Sequence, residues 1–382
     1  MAVSSATTLA NMKQIHIGLD GVAFSNTYQK GIQRYYEQIL RRVSDEFHIS
    51  VHTLGRTPVG LPENVHVVEA KEHNLVRGYG PRSMARRIVG KAKRQWFNTP
   101  FPASALFHST YFTECPLPGV PTVLTVHDML PEVMPYHADG DVFKEIERKR
   151  VCILKADSII TVSQATMDDL VSVYPEVGDR VRVVHSGGGH LPLVRPSDPD
   201  QNLLASAPCA TFIGDRRGYK NFHSVLDALC EASWPADLKL VVIGAPFSDC
   251  ERVAIRYRSL ESKISSIVFP DDLLLARHLA SSHCFLFPSL LEGFGFPILE
   301  AQSSGVPVVA SDTRVFREIG GRGFQAVDSR SPTALAQGVA RVFEPGCRQE
   351  LIREGFENVR RFSWEKCARE TSNVWRELAM GS

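Results

Sequence analysis

Apolar residues along the chain gather in short runs, each followed by a longer stretch in which they recur three and four positions apart. IHIGL precedes Gly31 to Val43, TVLTV precedes Phe143 to Ala156, and SIITV precedes Gln164 to Tyr174. A run that is apolar throughout suits a strand buried on both faces, and a periodic stretch suits a helix covering one of them. Their alternation predicts an α/β chain with a parallel sheet. The pattern stops from Ser186 to Pro208, SGGGHLPLVRPSDPDQNLLASAP, where three glycines and four prolines remove any periodicity. It restarts with ATFI, LKLVVI, SIVF, CFLF and PVVA, with helical stretches opening near Phe222, Cys250, Asp272, Pro297 and Ser331.

Single hydrophobic cores stop growing at about 250 to 300 residues, so 382 residues with 43% apolar content predict two domains. The expected division is a doubly wound, Rossmann-like domain over 1–190, a linker over 191–208, a second such domain over 209–363, and a C-terminal amphipathic helix over 364–382. The helix carries Trp364, Cys367, Val374 and Leu378 among its apolar positions. Ligands of such sheets bind beyond the carboxyl ends of the strands, so two of them facing each other share a cleft. Chemistry should cluster just after the strands.

Composition narrows the partners. Lysine and arginine number 43 against 42 acidic residues, so no global field attracts nucleic acid, and none is expected as a partner. The eight cysteines are scattered, with no pair at the two-residue spacing of zinc or redox motifs. Residues Met1 to Gln14 lack a basic start and an apolar segment, and no apolar run approaches the ~20 residues of a bilayer span. A cytoplasmic chain is expected. One local exception is the segment from His73 through Thr113, which contains no acidic residue and carries Arg77, Arg82, Arg86, Arg87, Lys91, Lys93 and Arg94. If Ser83 to Trp96 is helical, the stretch 77–94 is basic and amphipathic. It suits peripheral contact with the inner face of the plasma membrane, or else a solvated helix face.

Phe287 to Ser311, FPSLLEGFGFPILEAQSSGVPVVAS, runs from a strand through a glycine loop into a helix. Gly293 and Gly295 let backbone amides approach a ligand, and Pro297 suits the first helical position. The helix start is an anion site. Glu292 precedes the turn and Glu300 lies inside it, as plausible sugar and ribose ligands, since a carboxylate accepts from vicinal hydroxyls. A plain structural turn with solvated carboxylates is the competing reading. After strand ATFI, GDRRGYKN places Arg216, Arg217 and Lys220 at a strand's carboxyl end, as phosphate partners or as an exposed basic turn. His127 and Asp128 follow TVLTV, and Gly31 opens the first long helix. Two Asp-x-Asp triplets, Asp139 with Asp141 and Asp198 with Asp200, follow no phosphate loop, and no metal site is expected.

EGFGFPILE resembles the motif of two glutamates separated by seven residues in the retaining glycosyltransferases of family 4, which have the GT-B fold. KGIQRY at 30–35, VHD at 126–128, ADSIITVS at 156–163, GDRRGYKN at 214–221 and FSW at 362–364 are similar to that family in the same order. The resemblance implies a nucleotide diphosphate sugar donor and no cofactor. Lys220 and Arg216 would hold the diphosphate as it leaves, and Glu292 and His127 would lie beside the transferred sugar. Glu300, Arg217, Gly31 and the backbone of Gly293, Phe294 and Gly295 would bind the nucleotide part. The spacing of Arg216 and Lys220 is shorter than the family's usual one, which leaves open whether Arg216 or Arg217 meets the phosphates. The resemblance further implies a C-terminal helix that crosses back to the first domain. RRGYKN is similar to mannosyltransferase-like members, which implies a GDP-hexose donor, with UDP-glucose as the alternative. The acceptor, whether glycan, lipid-linked or small molecule, is not legible. The alternatives are a sugar-nucleotide epimerase or phosphorylase of the same fold, the latter needing a pyridoxal phosphate lysine for which no motif is present, or a non-catalytic nucleotide-sugar-binding protein.

Overall fold

The computed structural model describes residues 14–25, 30–53, 60–69, 105–115, 117–137, 142–189, 191, 192, 194, 208–216 and 218–381. Arg217, the basic stretch 77–94, both Asp-x-Asp triplets and most of the linker lie outside these residues.

Two parallel sheets organise the chain. The first contains β1 (Ile15–Leu19), β2 (Phe47–Thr53), β3 (Val65–Glu69), β4 (Ala105–Ser109), β5 (Thr122–Val126), β6 (Ser158–Thr161) and β7 (Val181–Val183). Its spatial order is β3-β2-β1-β4-β5-β6-β7. Between its strands run α1 (Val22–Ser25), α2 (Lys30–Leu40), α3 (Leu130–Val133), α4 (Val142–Lys155) and α5 (Gln164–Val173). The second sheet contains β8 (Cys209–Ile213), β9 (Lys239–Gly244), β10 (Ile264–Val268), β11 (Cys284–Phe287), β12 (Val308–Ser311) and β13 (Phe324–Val327), in the order β10-β9-β8-β11-β12-β13. Its helices are α6 (Phe222–Ala228), α7 (Asp249–Tyr257), α8 (Asp272–Ser281), α9 (Phe296–Ser303), α10 (Arg314–Gly320), α11 (Pro332–Val342) and α12 (Pro345–Val359). This pair of doubly wound units is the GT-B arrangement.

The strands CFLF and VVAS are buried at every position, because helices cover both faces of a parallel sheet. In each sheet the order reverses once, between β1 and β4 and between β8 and β11. At such a reversal the loops leave in opposite directions and open a crevice at the carboxyl ends.

The terminal helix α13 (Trp364–Met380) packs on the first sheet although it follows the second. Trp375 is 1% exposed, its indole N–H donates to His108 Nδ1 at 3.0 Å, and its ring meets Phe47 edge-on at 5.4 Å. Arg376 pairs with Glu46 at 2.6 Å and Glu365 with Arg42 at 2.8 Å. An aromatic seam joins the two halves: Phe294 against Phe362, Phe296 stacked on Trp364, and Trp364 against Tyr35. One apolar core therefore runs across both units, from Ile17 to Phe316. Among the described residues no helix is long and apolar enough to cross a membrane.

Candidate active site

The reversal between β8 and β11 brings together the two strongest sequence segments. From β8, Gly214 takes a left-handed φ of 116° and its N–H closes on Ile243 O at 2.9 Å. The chain then forms a short 3-10 turn, Gly218–Lys220. From β11 comes the loop to Gly295. Leu290 N–H donates to Tyr219 O at 2.8 Å, which sets the two loops in register. Lys220 Nζ consequently reaches Glu292 Oε1 at 2.5 Å, with both side chains about five-sixths buried. Burial alone would lower the Lys220 ammonium, but the Glu292 carboxylate outweighs it and holds the group above its ordinary value. The ammonium also lies over the Phe287 ring at 5.5 Å. Lys220 is thus a fixed cation at the mouth of the glycine loop.

Gly295 caps α9 with φ 103°, a left-handed conformation that a side chain strains, and Pro297 falls within the helix's first two positions rather than leading it. Phe294 is 5% exposed and packs among Phe296 and Phe362, so only its backbone is available to a ligand. Gly293 meets the other domain directly. A Cβ added there would lie 1.6 Å from His127 O, so glycine is required for the approach and not for a turn. Glu300, in the second turn of α9, is 5% exposed. Gly189 lies so close above it that a Cβ there would stand 2.5 Å from Glu300 Cγ.

His127 contributes its carbonyl to that contact, while its ring lies edge-on to Tyr35 at 5.0 Å. Burial pushes the imidazole down to about 4, with the nearby Lys149 ammonium adding to it against Asp128, so the ring is neutral at pH 7. The loop is held from behind by a buried lysine. Lys149 Nζ donates to Asp128 O at 2.6 Å and to Glu132 at 2.9 Å. Gly31 lies in the first turn of α2, exposed, with open space where a Cβ would be.

Arg216 pairs within the second domain, with Nη1 left without a hydrogen-bond partner among the described residues. Its Nε and Nη2 bind the Glu251 carboxylate at 2.6 and 3.1 Å, and Nη2 also donates to Pro246 O. Glu251 itself completes the capping box of α7 with Ser248. The guanidinium is therefore engaged in holding α7 against the β8 loop and is not brought to Lys220 and Glu292. Residues that sequence reasoning did not single out include Ser163 and Thr166, whose hydroxyls donate to Gly293 O, and Glu318, which accepts from the first amides of α5. Ser163 was legible only as a helix cap.

A doubly wound pair of sheets, each with one strand reversal, defines the GT-B fold. Two family models match it: "Glycosyltransferase Family 4" over residues 30–187 and "Glycosyl transferases group 1" over 195–357. The chain belongs to the family 4 glycosyltransferases. It is 27% identical over 283 residues to the D-inositol 3-phosphate glycosyltransferase of Acidothermus cellulolyticus, covering 68% of this chain and 62% of that one. To the O-antigen chain mannosyltransferase B of Escherichia coli it is 24% identical, covering 67% and 70%. Sucrose-phosphate synthase from Thermosynechococcus elongatus superposes over 97% of this chain and all of its own, with TM-score 0.75 and 18% identity. HepE of Anabaena, solved with UDP and glucose, superposes over 95% of this chain and 100% of its own, with TM-score 0.70 and 17% identity.

Proposed function

We propose that the protein transfers a hexosyl group from a nucleotide diphosphate sugar to a hydroxyl acceptor, with retention of anomeric configuration and without a metal. The observation that carries this reading is the Lys220–Glu292 pair, set across the strand reversal beside the start of α9, with the next residue, Gly293, against the His127 backbone. In this mechanism the acceptor hydroxyl attacks the anomeric carbon on the face from which the diphosphate departs. Its proton passes to a departing phosphate oxygen, and the carbon–oxygen bond to the phosphate breaks. Negative charge grows on the diphosphate, where Lys220 and the amides ahead of α9 stabilise it. That built-in positive charge is the reason to expect metal independence. Glu292 accepts from the sugar hydroxyls and Glu300 from the ribose.

The donor is a GDP-mannose or UDP-glucose type, the latter favoured by the UDP and glucose bound to HepE. The acceptor is a glycan, lipid-linked or small hydroxyl compound; the relatives' names speak of D-inositol 3-phosphate and of an O-antigen chain. The test is release of UDP or GDP from each sugar nucleotide in the presence of EDTA, with NMR of the product anomer. Activity lost to EDTA and restored by manganese refutes metal independence, and an inverted product refutes retention. Donor binding with neither hydrolysis nor transfer would make the protein a non-catalytic binder. Peripheral contact with anionic lipid through 77–94 belongs to the same proposal, and equal sedimentation with anionic and neutral vesicles refutes that part.

A further inference from the structure

The glycine loop of the second domain is held by two hydroxyls of the first. Ser163 and Thr166 are 0% and 2% exposed. Ser163 Oγ donates to Gly293 O at 2.7 Å and Thr166 Oγ1 donates to the same oxygen at 3.1 Å, which fills both of its lone pairs. The start of α5 aims the pair. Ser163 is the N-cap: its oxygen accepts Thr166 N–H at 3.0 Å and stands 3.0 Å from Thr166 Oγ1, and its one proton goes to the closer acceptor, Gly293 O at 2.7 Å. On the same turn Gln164 and Ala165 N–H donate to Glu318 at 2.7 and 2.9 Å, and His185 Nε2 meets that carboxylate at 2.6 Å. One helix start thus receives the second domain twice, through side chains at Gly293 and through backbone at Glu318.

The geometry of the peptide gives this contact a chemical meaning. No described peptide bond is cis, so in the Gly293–Phe294 unit the C=O and N–H point opposite ways. Fixing the carbonyl on Ser163 and Thr166 turns the Phe294 N–H away from α5. A flipped unit would present an oxygen to an anion instead, and glycine, having no Cβ, resists such a flip weakly.

We infer that Ser163 and Thr166 are positioning residues that lock the Gly293–Phe294 peptide with the Phe294 N–H turned to the sugar-bearing phosphate, and only when the domains are closed. The inference deepens the proposed function and rests on it. The two hydroxyls touch no substrate; they act through one backbone amide.

Thr166→Val tests this cleanly, since it keeps shape and the Thr166 N–H that Ser163 caps, while Thr166→Ser restores the hydroxyl. Binding of UDP, GDP, UMP and GMP to the full chain is measured by calorimetric competition, with thermal unfolding as the check on folding. Thr166→Val should bind the preferred diphosphate about fivefold to tenfold more weakly, with monophosphate affinity unchanged. Thr166→Ser should return to within about twofold of wild type. With a sugar nucleotide the loss in Thr166→Val should fall on kcat more than on KM, because charge on that phosphate grows in the transition state. Equal losses for diphosphate and monophosphate, or none, overturn the inference while leaving the glycosyltransferase reading standing. A wild-type chain that binds neither UDP nor GDP overturns both.

Discussion

Gly293→Ala isolates the meeting of the two domains. The glycine's φ is not in the left-handed region, so alanine fits its backbone and the effect is purely steric. The new methyl would lie 1.6 Å from His127 O, 2.8 Å from His127 C and 3.2 Å from Asp128 Cβ. An ordinary carbon–oxygen contact is about 3.3 to 3.6 Å, so the two segments must part by roughly 1.5 to 2 Å. His127 cannot yield alone, because Asp128 O is tied to Lys149 at 2.6 Å. The glycine loop therefore retreats, and the 2.7 and 3.1 Å bonds to Ser163 and Thr166 break, a loss of about 1 kcal/mol each. Displacement of about 1 Å at a reacting centre lowers turnover by about a hundredfold. Neither unit's own core is touched, so calorimetric unfolding should move by only a few degrees while kcat/KM for transfer falls at least about a hundredfold. The assay is coupled detection of released nucleotide with an acceptor or with water. Activity within about threefold of wild type would show that the closed contact is not the working arrangement.

Other outcomes follow from the same contacts. Lys220→Ala should lower kcat at least about a hundredfold, whereas Glu300→Ala should raise donor KM more than it lowers kcat; unchanged constants in both would remove the site assignment. Lys149→Met strands Glu132, whose side chain is 3% exposed and whose carboxyl burial already pushes above its ordinary value. Urea unfolding should show a loss of about 3 to 5 kcal/mol, partly recovered by adding Glu132→Gln. His108 and His127 are pushed down by burial to about 3 and about 4, below their value in the unfolded chain. Their contribution is complete above about pH 6.5 and is lost as pH falls toward those values. The unfolding temperature should begin to fall below about pH 6.5, and a flat profile down to pH 5 contradicts this. Arg216→Ala should lower thermal stability through the loss of Glu251's partner, with kcat retained to within severalfold.

The fold was legible where strands are buried on both faces. CFLF is apolar at every position and IHIGL and TVLTV at three of five, and each became a strand paired on both sides. VHVVE, at the edge of the first sheet, and its inner neighbour FHISVHT mix histidine with aliphatic residues and gave no continuous run. Lys220 and Glu292 were nominated from their places after strands, but their contact depends on the β8–β11 reversal, which spacing does not encode. The same limit hid the partner of Arg216. A basic loop residue looks identical whether it awaits a phosphate or already holds Glu251, 35 positions away. SGGGH read as slack between domains, yet Gly187 lies against Trp364 and Gly189 against Glu300. Composition reports that glycine is present; only the neighbours tell whether it serves bending or close approach.

The placement of α13 also sets an order of assembly. His108, Phe47 and Glu46 receive Trp375 and Arg376, so the first domain lacks part of its interior until α13 has left the ribosome. The second domain, synthesised later, has all its strands and flanking helices by Val359. During synthesis at about 5 to 20 residues per second, the half made first must wait about 10 to 40 seconds with an open apolar face. The half made second is the first to be complete. A nascent chain stalled before Trp364 would therefore expose the β4 surface to chaperones while already presenting a second sheet with all its flanking helices.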